Sequence, residues 1–337
     1  MRESKIVLLY TNYPEIYQQK LNSAFLNAGF QVVWVNPQEE NSKQKALDVL
    51  KKAAVAILGG GLPMADILLA PNLRWLHYDW VGIEKGISAQ LFEKGVLVTN
   101  GSGRNSICLS EHVFYFIFTL DYGTREIFAA QEAHHWGVDH VNPYTSLYGK
   151  TLLTVGTGSI AREVAKRAKA FEMRTLGFCR TKKSLDYYDQ VYSGEEGNEL
   201  DDLLPLADYV ILAVPLNTES YHLIDYARLK KMRPTAYLIN ICRGAVVDTN
   251  SLVRALQEHV IAGAGCDTFE QEPLSEESPL WDLKNLVITP HSTPQSPLKF
   301  EIGISNIISN ISNYLGNRKM VNQQTIQDVF IPREARA

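Results

Sequence analysis

The sequence predicts an α/β protein of two doubly wound parallel-sheet domains, with the second inserted into the first. Three observations predict it. Short apolar runs alternate with amphipathic stretches along the 337 residues, and the alternation restarts near Thr151 after one long apolar helix. A further helical stretch follows the last strand and needs a surface to pack on. A chain of this length exceeds one ordinary core and suits two.

In the first series, residues 6–10, 31–35, 55–58, 72–77 and 96–99 read as strands, with amphipathic stretches at 15–28 and 47–53. Gly59-Gly60-Gly61 and Asp79-Trp80-Val81-Gly82 fall just past strand ends, where loops meet ligands in open parallel sheets. Residues 106–120 form the linking helix. The second series has about six strands, at 152–155, 174–178, 209–214, 236–241, 262–266 and 286–288, with helices at 160–171, 200–204, 227–232 and 252–258. Residues 298–315 form a last helix, expected to return to the first domain. The first domain is therefore expected to be discontinuous, residues 1–103 plus 293–337, with 104–292 inserted. The polar tail at 322–337 reads as loosely held.

Composition narrows the function. Hydrophobic residues at 45% and charged residues at 21% describe a globular chain. A formal net charge of −4 gives no reason to expect nucleic acid or an anionic membrane as partner. No run approaches the roughly 20 apolar residues of a spanning helix. The start of the chain lacks the apolar stretch and cleavage site of a leader. Cys108, Cys179, Cys242 and Cys266 make no C-x-x-C pair and read as reduced packing residues of a cytoplasmic protein.

Gly156-Thr157-Gly158-Ser159-Ile160-Ala161 follows a strand and opens a helix. A first glycine permits the tight turn, a second lets the backbone approach a pyrophosphate, and a small residue (Ala161) lets helix and strand pack closely. The helix N-terminus offers unpaired N–H groups to the anion. A glycine turn with no ligand gives the same letters, but strand–turn–helix context favours a dinucleotide. The next strand ends Cys179-Arg180-Thr181-Lys182-Lys183, with no acid to hold ribose hydroxyls. Arg180 can clamp a 2′-phosphate in a forked geometry, with Thr181 and Lys182 adding donors, so NADP is the expected cofactor and NAD the second candidate. A solvated basic turn is the plain alternative.

Three later strands end in ionisable residues: Ile241-Cys242-Arg243, then Asp267 through Glu272, then Thr289-Pro290-His291. A guanidinium, a carboxylate and an imidazole at one sheet edge suffice to bind an anionic carbonyl compound and move one proton. Each has a plain reading as well: Arg243 as a surface cation, Glu272 as a loop charge, His291 as a packed turn residue. Adjacent His134 and His135 point apart on a helix and find no further ligand at suitable spacing, so no metal site is expected.

Together these segments resemble the D-isomer-specific 2-hydroxyacid dehydrogenase family. Gly-x-Gly-x-Ile, Val214-Pro215-Leu216, Asn240-x-x-Arg243-Gly244-x-x-Val247-Asp248, Gly263-x-Gly265-x-Asp267-x-Phe269-x-x-Glu272-Pro273-Leu274 and Thr289-Pro290-His291 stand in the family's order. The basic turn is most similar to the glyoxylate and hydroxypyruvate reductase branch. The resemblance implies a Rossmann domain inserted into a flavodoxin-like substrate domain, a small 2-oxo acid substrate and a homodimer. It implies that Arg243 binds the substrate carboxylate and polarises the carbonyl, that His291 is the acid in reduction, and that Glu272 orients it. Asp267 would hold the nicotinamide carboxamide, with Val214, Pro215, Ile241 and Cys242 lining the cofactor site. The backbone N–H groups of Trp80, Val81 and Gly82 would grip the substrate carboxylate, and Trp136 would reach a partner subunit, with a core tryptophan as the plain alternative.

The chain also departs from the family. Ser292-Thr293-Pro294 replaces a Gly-containing turn, Leu120-Asp121-Tyr122 stands where an arginine is common, and Arg104 adds a cation read as a helix-start surface charge, with a second anion contact as the alternative. Rival readings are a D-lactate-type or bulkier D-2-hydroxyacid dehydrogenase and, in another class, a dinucleotide-sensing corepressor-like protein.

Overall fold

A computed structural model describes residues 4–83, 86–137, 146–181, 184–293 and 296–329. The described residues fall into two compact units, one running up to Arg104 and resuming at Ser296, the other beginning at Asn105.

The first unit holds β1 (Ile6–Tyr10), β2 (Gln31–Val35), β3 (Val55–Leu58), β4 (Trp75–Tyr78) and β5 (Leu97–Asn100). They lie in the order 5-4-3-1-2, all parallel, with Gln323–Gln324 pairing antiparallel on β5. This is the flavodoxin-like order. β3 is buried at every position, as a strand covered on both faces must be. The helix Leu298–Leu315 presents Ile304, Ile307 and Ile311 to Val7, Leu9, Phe25 and Trp75. Each fully buried aliphatic side chain there contributes about 1.5–3 kcal/mol.

Two expectations change in this unit. The start of the polar tail is docked: besides the Gln323–Gln324 pairing, Val329 of the helix Ile326–Val329 is buried. Arg104 is not a surface charge. Its guanidinium lies 2.7 Å from Asp79 Oδ1, and the two side chains are only 16% and 10% exposed.

The second unit holds β6 (Thr151–Val155), β7 (Arg174–Cys179), β8 (Gln190–Ser193), β9 (Tyr209–Leu212), β10 (Tyr237–Asn240), β11 (Gly263–Cys266) and β12 (Leu286–Ile288). The order is 12-11-10-9-6-7-8 and every pairing is parallel. The direction of winding reverses between β6 and β9, the switch point of a Rossmann sheet. Among the described residues this unit has seven strands, where about six were expected. β8 is a four-residue edge strand without a full apolar face, so it leaves little periodic signal. The linking helix Ser106–Asp121 packs Val113, Phe116 and Ile117 into the core beside Leu152, Ile211 and Ile239. Cys108, Cys242 and Cys266 are buried and Cys179 half-buried, all as free thiols. Among the described residues no helix is long and apolar enough to cross a membrane.

Asp121, for which the sequence offers no rationale, accepts a 2.7 Å hydrogen bond from the Tyr209 hydroxyl inside this unit. Burial pushes its carboxyl up to about 6, against the opposing pull of Tyr209 and Lys150. The folded chain therefore holds the Asp121 proton more tightly than an unfolded chain does. The associated stability is present in acid and is lost as pH rises through about 6. Tyr209→Phe removes the hydroxyl that offsets this burial. It is expected to cost on the order of 1–3 kcal/mol at pH 8 and less at pH 5, read as the fall in Tm at each pH. An equal fall at both would reject the charged-carboxylate account.

Candidate active site

The carboxyl ends of β6, β9, β10, β11 and β12 form one edge of the second sheet. Gly156 leaves β6 at φ +97°, and its N–H bonds to Phe178 O at 2.8 Å. A Cβ at Gly156 would stand 2.4 Å from Ala213 O, so only glycine turns here. Gly158 caps the helix Ser159–Ala170 with no side-chain acceptor on its first N–H groups. Ala161 is fully buried in the first turn, while Gly158 and Ser159 are exposed. Thr157 is buried and Ile160 half-buried. A small residue against the sheet and an open helix N-terminus make a cradle that fits a pyrophosphate. Val214 packs over this turn, its Cγ1 3.1 Å from where a Gly156 Cβ would sit, and Pro215 follows it at the surface.

Past β7, Cys179 Sγ lies 3.1 Å from Thr181 O. Thr181 is exposed, and Lys182 lies outside the described residues. Arg180 is 63% exposed and pairs with Glu219 Oε2 at 3.3 Å. An ion pair this exposed contributes little to stability and leaves the guanidinium able to exchange partners.

β10 ends in a folded-back turn. Asn240 Oδ1 accepts from Cys242 N–H at 3.1 Å, and its amide donates to Arg243 O at 3.0 Å. Ile241 and Cys242 are buried, and burial pushes the Cys242 thiol up. Arg243 is half-buried, with Nη1 donating to Cys242 O at 2.7 Å. A Cβ on Gly244 would fall 1.8 Å from Phe269 C, so the segment after Arg243 lies backbone to backbone against the loop leading to Glu272.

That loop orients an imidazole. Glu272 Oε1 accepts from Phe269 N–H at 2.9 Å, and Oε2 lies 2.9 Å from His291 Nδ1. His291 sits just past β12 at φ +49°, its N–H bonded to Asp267 O, with the side chain 51% exposed. Its Nε2 is the nitrogen that Glu272 leaves available. In the registers Asn240↔Cys266 and Cys266↔Ile288, the turns bearing Arg243, Asp267 and His291 follow three neighbouring strands.

Asp267 is buried and more heavily engaged than the sequence suggests. Its carboxylate accepts from Thr289 Oγ1 (2.6 Å), Thr293 Oγ1 (2.6 Å) and Ser292 N–H (3.1 Å). His112 Nε2 stands 2.9 Å from Thr289 Oγ1. Burial pushes this carboxyl up, but the bonds from His112, Thr289, Thr293 and Ser292 outweigh it and hold it below the usual range. Asp267 thus staples the turn that carries His291. Ser292 and Thr293, which depart from the family's turn, supply two of the donors.

A second clasp was not anticipated. His222 Nδ1 lies 3.5 Å from Asp248 and Nε2 3.4 Å from Glu270. It is the one group of metal-ligand types that converges among the described residues. The two ring nitrogens face different acids, and Nε2 has no hydrogen-bond partner among the described residues. Asp248 also caps the helix Thr249–Gln257, and Glu270 accepts from Thr249 N–H and Oγ1. The bonds from Thr249 to Glu270 therefore tie the segment after Arg243 to the Glu272 loop. His134 and His135 are both exposed.

In the first unit, Trp80 and Gly82 are half-buried and Val81 is exposed. Gly101 N–H bonds to Trp80 O at 3.1 Å and Asn100 Nδ2 to Val81 O at 3.1 Å. Among the described residues, the N–H groups of Trp80, Val81 and Gly82 meet no acceptor.

Comparison with known proteins agrees with this architecture. Residues 114–293 match the family described as D-isomer specific 2-hydroxyacid dehydrogenase, NAD binding domain. A glyoxylate reductase of Pyrococcus furiosus is 36% identical over 275 residues, covering 79% of this chain and 80% of the relative. One from Thermococcus gammatolerans is 48% identical over 228 residues, covering 66% and 67%. A crystal structure of a D-isomer specific 2-hydroxyacid dehydrogenase family protein from Aeromonas salmonicida superposes with TM-score 0.75 at 25% identity, covering 96% of this chain and 99% of that one. With a reversing parallel sheet, a glycine cradle at its switch point and an oriented imidazole at its edge, this chain belongs to the D-isomer-specific 2-hydroxyacid dehydrogenases, NAD(P)-dependent oxidoreductases acting on CH–OH groups.

Proposed function

We propose that the protein reduces a small 2-oxo acid, glyoxylate or hydroxypyruvate foremost, to the D-2-hydroxy acid, with NADPH preferred over NADH. The 2.9 Å contact between His291 Nδ1 and Glu272 Oε2 carries the reading. Glu272 fixes the ring, so Nε2 of the imidazolium is the proton donor to the carbonyl oxygen in reduction and the acceptor in oxidation. Arg243 binds the substrate carboxylate and stabilises charge growing on that oxygen. The N–H groups of Trp80, Val81 and Gly82 take the carboxylate as well, which the lack of acceptors for them among the described residues supports.

Gly156, Thr157, Gly158, Ser159 and Ile160 would hold the pyrophosphate, Val214, Pro215, Ile241 and Cys242 the nucleotide's inner face, and Asp267 the carboxamide. The bound dinucleotide supplies the hydride; the protein orients substrate and moves the proton. The glyoxylate reductase relatives support the substrate class. A D-lactate-type or bulkier substrate is the alternative that a panel of 2-oxo acids separates.

NADPH oxidation with that panel should be fastest for glyoxylate or hydroxypyruvate. His291→Ala should lose about 10²–10⁴-fold in kcat while still binding the dinucleotide, measured by fluorescence titration. Turnover retained in that variant would refute the assignment of the acid.

The absence of an acid at Cys179 and the exchangeable Arg180 support NADPH, with Thr181 and Lys182 as further donors. Arg180→Asp should raise KM for NADPH by roughly 10–100-fold and spare NADH, since it removes a charged hydrogen-bond donor. Parallel changes with both cofactors would count against a 2′-phosphate role.

A cytoplasmic homodimer completes the reading. Trp136 is fully exposed, and a groove of about 480 Å³ between the linking helix and the glycine-loop helix is walled by Phe114, Tyr115, Phe118 and Phe171. Apolar surface of this kind suits a second copy. Trp136→Ala is expected to weaken the dimer in sedimentation or to alter substrate range. A variant unchanged in both would end the idea of a reaching arm.

A further inference from the structure

The loop Trp80–Gly82 is braced by a largely buried ion pair that no feature of the sequence announces. Asp79, the residue immediately before the loop, meets Arg104 at 2.7 Å, and Arg104 is the last residue before the chain leaves the first unit. The Asp79 N–H is tied to Leu58 O at 2.8 Å. A Cβ on Gly101 would lie 3.2 Å from Arg104 Cδ, Asp79 C and Trp80 N alike, so the arginine stem, the Gly101 backbone and the Asp79–Trp80 peptide are packed without slack. Around the carboxylate stand the buried Tyr13 ring and Gly303, whose Cβ would lie 3.7 Å from Asp79 Oδ1. Burial pushes the Asp79 carboxyl up, with Arg104 and then Tyr13 and Lys299 pulling the other way.

A carboxylate one residue from a loop that receives an anion would repel it through a poorly solvated medium. The guanidinium cancels that charge, and its fork fixes the peptide that begins the loop. We propose that Asp79 and Arg104 act as a positioning pair that sets the aim of the Trp80–Gly82 N–H groups and so determines KM for the 2-oxo acid. This inference rests on the reading of that loop as the carboxylate grip. Small misplacements of a binding group have large effects on rate and affinity, whereas a buried pair replaced on both sides by apolar groups often costs no stability.

The test uses the whole chain. The double variant Asp79→Leu/Arg104→Met should keep a Tm near that of the unaltered protein, raise KM for glyoxylate about tenfold or more, and leave KM for NADPH unaltered. Arg104→Lys retains the charge without the fork and should fall between the two. A folded double variant with unaltered KM for glyoxylate overturns the proposal. Should the double variant fail to fold, an unaltered KM in Arg104→Lys overturns it instead. Val81→Pro, which deletes one N–H of the grip, separates the two claims. If it leaves KM unaltered, the carboxylate-grip reading itself fails. If it raises KM while the double variant does not, only the role of the ion pair fails.

Discussion

The candidate site depends on one close approach of two backbones. Gly244, directly after Arg243, lies so near Phe269 and Glu270 that no side chain fits between them. That contact brings the end of β10 against the loop following β11, and with it a guanidinium segment against the carboxylate that orients His291. Parallel neighbours with matched register make such an approach available, because consecutive strand ends open onto the same edge. The bonds from Thr249 to Glu270 reinforce it from the flank.

Charge placement follows one rule in both units. Each buried carboxylate discussed is compensated by a partner distant in sequence: Asp267 by the hydroxyls of Thr289 and Thr293, Asp121 by Tyr209, Asp79 by Arg104. An uncompensated buried charge is costly, so each pairing holds two segments in one arrangement. For Asp267 the arrangement is the turn that carries His291, itself in a left-handed backbone conformation. Residues in sparsely populated backbone regions persist only where their surroundings hold them, and here Asp267 O, the Asp267 carboxylate and Glu272 do so.

Much of this was legible in the letters. Strands such as Val55–Leu58 and Tyr209–Leu212 announce burial on both faces by unbroken apolar runs, and the helix Leu298–Leu315 announces itself by periodicity. Gly156 through Ala161 could be read as a cradle because turn, strand and helix are all local. The edge strand Gln190–Ser193 escaped, being short and half-exposed. Arg104 was misread because nothing within a few residues reveals that Asp79 waits for it. Asp121 had no local explanation, since its partner is 88 residues away.

The amino-acid sequence alone determined the alternation of strands and helices, the glycine turn, and which ionisable residues end the strands of the second sheet. Those properties are set by local period and steric freedom, which neighbouring letters carry. Only the tertiary structure decided which hydroxyls would satisfy Asp267, that His222 would stand between two acids, and that Arg104 would pair with Asp79, the residue before Trp80–Gly82. Such pairings join segments that become neighbours only when the sheets close, and the cost of leaving a buried charge alone selects them.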